Sequence, residues 1–77
     1  MQGTMGDKAM LDKTTDPQEA LRLAISREQA AYEFYKHHAD IFEDKATREM
    51  FNHLAEEETK HRERLQDELD KYVHYEM

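Results

Sequence analysis

Apolar residues recur at intervals of three and four along most of the chain, with one gap in each half. In the first half Leu21, Ile25, Tyr32, Tyr35, Ala39 and Phe42 fall on one seam, and Glu28 fills the missing place. In the second half Phe51, Leu54, Leu65, Leu69 and Tyr72 form a similar seam, whose gap holds Glu58 and His61. This period predicts two amphipathic helices. Asp16 reads as the N-cap of the first, with Pro17 at the first helical position and Glu19 at the third. The run is interrupted near 41–44, where Asp44 reads as a second N-cap for a helix from Lys45 to about Tyr72. The expectation is an all-α chain: an antiparallel helical hairpin over residues 16–77, preceded by a flexible N-terminal arm, residues 1–15, that holds both glycines.

The two gaps carry the chemistry. A lone carboxylate in a packed seam is costly unless something compensates its charge. Glu28 stands 16 positions before Asp44, and Glu58 and His61 stand 14 and 17 after it. At the helical rise all three lie roughly 20–25 Å from the turn, in one layer. Glu58 and His61 are three residues apart and share a helical face. Two helices alone leave much of each stripe wet, so the hairpin is expected to pair with a second copy as a homodimeric four-helix bundle. Two copies bring four carboxylates and two imidazoles into one layer, a set that balances two divalent cations. Oxygen-rich ligation of this kind suits iron or manganese, with zinc as a substitute.

Composition narrows the alternatives. The chain has 77 residues, 18 acidic and 11 basic, for a net charge of −7. Phosphate contacts need clustered Lys and Arg, so nucleic acid is not an expected partner. No apolar run approaches a membrane span, and no secretory signal pattern opens the chain, so the expected location is cytoplasmic. The absence of cysteine excludes thiolate metal sites and disulfides. No glycine lies between Asp16 and Met77, so no phosphate-cradling loop for a flavin is visible.

A Glu on the first helix with Glu-x-x-His on the second resembles the half-site of ferritin-like di-iron proteins. Glu28-Gln29-Ala30-Ala31-Tyr32-Glu33-Phe34-Tyr35 is similar to the first helix of the rubrerythrin type. Phe51-Asn52-His53-Leu54-Ala55-Glu56-Glu57-Glu58-Thr59-Lys60-His61 is similar to its partner helix. The likeness covers about Asp16 to Leu69. A single hairpin in place of two resembles the encapsulated ferritins, as do the 30-residue separation of Glu28 from Glu58 and the aromatic pair Phe34–Tyr35. The resemblance implies a ferroxidase that oxidises Fe(II) with dioxygen or peroxide and serves iron storage or detoxification. It implies two irons per dimer, bridged by the two Glu58 side chains and capped by Glu28 and His61 of each chain, with Tyr35 hydrogen-bonding a metal ligand. It further implies a larger ring of dimers and an encapsulin shell as partner. Three features depart from that group. Arg27 and Ala30 replace the acidic residues that flank the first ligand there and form its iron uptake path. The shell-targeting tail expected after Met77 is missing. The rubredoxin-like iron centre of ordinary rubrerythrins has no cysteines to form it.

The remaining polar residues read as ordinary surface. His37, His38, His53 and His74 are expected as unpaired imidazoles, and in the run Glu56-Glu57-Glu58 only Glu58 is expected to face the seam. Two other functions stay open on the sequence: a non-enzymatic helical dimerisation module, and a metal-binding ferritin-like protein without ferroxidase activity.

Overall fold

The computed structural model describes residues 16–76, with side chains described for residues 16–72. Two helices make up almost all of it: α1, Pro17–Ile41, and α2, Lys45–Glu76. They pack antiparallel as a hairpin joined by three residues. The arm expected over residues 1–15 lies outside the described residues.

Each helix start is built by an aspartate. Asp16 has extended backbone angles (φ −64°, ψ 133°), and its carboxylate accepts from the Glu19 amide, with Pro17 in the first turn. Asp44 accepts from the Thr47 amide at 2.8 Å and from the Thr47 hydroxyl at 2.6 Å. Those two bonds hold the Asp44 carboxyl below the usual carboxylate range. The turn needs no glycine. Phe42 leaves α1 in an extended conformation (φ −76°, ψ 137°), and its amide still donates to the His38 carbonyl. Among the described residues no backbone φ is positive.

The seam follows the apolar pattern. Ala39, Ala55 and Leu69 are buried, and the other α1 seam residues, Glu28 among them, are half-buried. Near the turn the packing is aromatic: the Phe51 ring meets Phe42 at 5.2 Å and Tyr35 at 5.9 Å, both edge to face. Tyr72 departs from expectation, being 40% exposed. The reason is length. Helix α2 has 32 residues and α1 has 25, so past Leu69 the second helix has no partner beside it among the described residues.

The hairpin leaves apolar surface uncovered. Phe34, Ile41 and Met50 are each more than half exposed. On the 100° helical period Phe34 and Ile41 lie to one side of the α1 seam, the side to which the His61 imidazole emerges from α2. No helix among the described residues is long and apolar enough to cross a membrane.

Candidate metal centre

Glu43, the middle residue of the turn, sets the register. Glu28 stands 15 residues before it and Glu58 15 after it, so the antiparallel pairing brings the two carboxylates to one height. His61 follows one turn later on the same face as Glu58 and leans back toward the helix N-terminus, as helical side chains do. The result is one convergent group. The His61 Nδ1 lies 3.0 Å from Oε2 of Glu28 and 3.3 Å from Oε1 of Glu58. One donor atom from each of the three lies within 4.8 Å of the others. Their exposure is graded: 15% for the Glu58 side chain, 25% for Glu28 and 45% for His61.

The electrostatics are those of two acids sharing a place. The facing Glu28 carboxyl and partial burial push the Glu58 carboxyl above the usual glutamate range, while His61 pulls it the other way. A carboxyl held above its ordinary value binds more protons in the folded chain than in the unfolded one. Its stabilising contribution is therefore present at low pH and is lost as pH rises through the raised value. We expect Glu58→Gln, which resembles the protonated acid, to match the metal-free parent near about pH 4 and to melt higher than it near about pH 7. Thermal unfolding at the two pH values checks this; a variant less stable than the parent at neutral pH would contradict the account.

The donor set fits a transition-metal cation. Oxygen and nitrogen ligands at about 2.1 Å from a metal stand roughly 3–4 Å from one another, depending on whether they are adjacent or opposite. Three atoms within 4.8 Å need only small side-chain motion to reach that arrangement. One flank of the layer carries an aromatic–guanidinium pair. Tyr32 and Arg62 each lie one turn beyond a carboxylate, and they reach across the layer so that the guanidinium sits 5.9 Å over the ring. The other flank, where His61 emerges, is open.

Tyr35 packs against Phe34 and Phe51 at 5.5 and 5.9 Å, two turns nearer the connection than Glu28. Of the acidic run, Glu56 is exposed and Glu57 pairs with Lys60 at 3.4 Å. Two histidines differ from the expected free imidazoles. His38 is half-buried; its Nδ1 donates to the Phe34 carbonyl at 2.8 Å and its ring lies 4.1 Å from the Phe34 ring. His53 lies 3.9 Å from Glu57, one turn along the helix. The His74 side chain lies outside the described residues. Periodicity passed over Ala55 and Arg62. Their signal lies in heptad neighbours: Ala55 stands at the height of Ala31, and Arg62 lies four residues after Glu58.

A two-helix hairpin with paired glutamates and a histidine between its helices defines a ferritin-like carboxylate–histidine protein. The rubrerythrin family profile matches residues 4–73. The chain belongs to that family. No curated protein and no solved structure matches it.

Proposed function

We propose that the chain is a ferroxidase whose centre is completed by a second copy of itself. The observation that carries this reading is the convergence of Glu28, Glu58 and His61 at one point between the helices. Membership of a family whose fold implies iron binding supports it. Three donors leave an iron ion short of its usual coordination, and the open flank beside His61 is bordered by exposed apolar side chains. A second hairpin laid on that flank covers them and doubles the donor set to four carboxylates and two imidazoles. Two Fe(II) ions are the substrate, with manganese or zinc as substitutes in the same place.

Each residue has a part in this reading. The Glu58 carboxylates, the least exposed of the group, would be shared between the two irons. Glu28 and His61 of each chain would together hold one iron from the outside. Oxygen ligands stabilise the ferric product relative to the ferrous substrate. Each Fe(II) loses one electron; dioxygen takes two electrons and two protons and leaves as hydrogen peroxide. Tyr35 lies two turns along α1 from Glu28, and its hydroxyl is the group we assign to hydrogen-bond a ligand of the iron. A bundle of this size has no interior for mineral. Storage then falls to a surrounding compartment of encapsulin type in the cytoplasm, reached by dimers or by a ring of them.

Aerobic addition of Fe(II) to the purified chain tests the activity. The reading expects ferric absorbance to rise faster than in buffer, with one dioxygen consumed per two Fe(II). Iron bound at two per dimer without accelerated oxidation would leave a metal-binding protein and remove the ferroxidase.

A further inference from the structure

The centre described above uses only the last member of a longer row. Glu49, His53, Glu57 and His61 follow one another at four-residue spacing along α2, and the next two places are Leu65 and Leu69. Every polar member of the row is a metal donor by type, and the row turns apolar just past the centre. A four-residue step on a 3.6-residue helix advances about 40° around the axis and about 6 Å along it. The row therefore winds from the outer surface of α2 into the seam. The outermost of these side chains is the most exposed, 68% for His53 against 39% for Glu57 and 45% for His61. One neighbouring pair of the row meets, with the His53 Nε2 at 3.9 Å from the Glu57 Oε2. That same Glu57 oxygen holds the Lys60 ammonium at 3.4 Å, so a cation already occupies the position midway. On α1 the residues beside Glu28 are Arg27, Gln29 and Ala30, none of them a carboxylate or an imidazole.

We propose that Glu49, His53, Glu57 and His61 form a relay on the outer face of α2 that takes divalent transition-metal ions from solvent and passes them to the Glu28–Glu58–His61 group. The proposal rests on the metal-centre reading and adds the route. Glu49 and His53 collect the ion where the helix is most exposed. Glu57 exchanges the Lys60 ammonium for it. His61 belongs to both the route and the centre, so the last transfer is a rotation of one imidazole rather than a diffusive step. Borderline nitrogen donors alternating with carboxylates favour first-row transition ions over magnesium or calcium, which prefer oxygen alone.

Anaerobic mixing of the full chain with limiting Co(II), followed by quenching of tyrosine fluorescence, reads the loading rate. His53→Ala combined with Glu57→Gln is expected to load about tenfold more slowly, as when a charged funnel is removed. Its final quenching, Co(II) stoichiometry and helicity should equal the parent's. Lys60→Met should load faster than the parent, since Glu57 is then free. A purely structural role for the i,i+4 pairs would lower the melting temperature and leave the rate alone. A double variant that loads at the parental rate overturns the relay and leaves the centre standing. A parent that binds no more Co(II) than Glu58→Ala overturns the centre, and the relay falls with it.

Discussion

Glu58→Ala should reduce Fe(II) oxidation to the rate of the buffer blank while leaving the helical content intact. Glu58 is the least exposed of the three donors, faces Glu28 and lies 3.3 Å from the His61 imidazole. In the proposed paired assembly its two copies would be shared between the ions, so its loss would remove a ligand from both. Replacing even an outer hydrogen-bond partner of a ligand costs metal affinity tenfold to about a hundredfold, and loss of a shared ligand should exceed that. Stability should move the opposite way. The metal-free chain holds two carboxyls at one height, and removing one relieves that conflict. Activity and stability thus separate: a variant that is inactive because it is unfolded would show lost helicity. His37→Ala is the control, since His37 is exposed and lies on the turn-proximal part of α1, away from the carboxylates; it should oxidise Fe(II) at the parental rate. Glu58→Ala at parental activity would remove the assigned site.

The second large effect is on assembly. Fe(II), or Zn(II) as a redox-inert stand-in, should shift the chain from monomer toward dimer and raise its melting temperature by roughly 10 °C. The size follows from mass action: a ligand at a hundred times its dissociation constant stabilises the native state by about 2.7 kcal/mol, and for a domain this small each kcal/mol moves the midpoint by several degrees. A chelator should reverse both changes. Phe34→Glu, on the uncovered apolar flank, should block dimer formation without unfolding the hairpin, because that side chain is 52% exposed in the single chain. Sedimentation with and without metal reads the first effect, and the same run on the variant reads the second. A chain that binds metal at full stoichiometry yet stays monomeric would mean that one hairpin suffices.

The hairpin and the meeting of Glu28, Glu58 and His61 are legible in the sequence, and the reason is physical. A charged residue in an apolar seam is rare because it is expensive, so Glu28 and the Glu58–His61 pair stood out against the period of their neighbours. Equal separation from the turn then placed them together. The caps were equally plain, since Asp16-Pro17 and Asp44 are start signals with a mechanism. What escaped was whatever depends on side-chain reach across helices. Arg62 bends over Tyr32 from a different layer, and periodicity says nothing of long flexible arms. His38 looked like a surface imidazole because nothing in its position announces the Phe34 carbonyl one turn back. The uneven helix lengths that expose Tyr72 were hidden for a different reason: nothing in the residues after Leu69 stops a helix, so the seam reads on past the end of its partner.

Crystals of the full chain grown with Mn(II), examined by anomalous scattering at the manganese edge, test the central claim most directly. The account predicts two peaks per pair of chains, each within bonding distance of Glu28, Glu58 and His61, with a Glu58 carboxylate reaching both. Well-ordered crystals with those three side chains facing solvent, and manganese held elsewhere or nowhere, would contradict it.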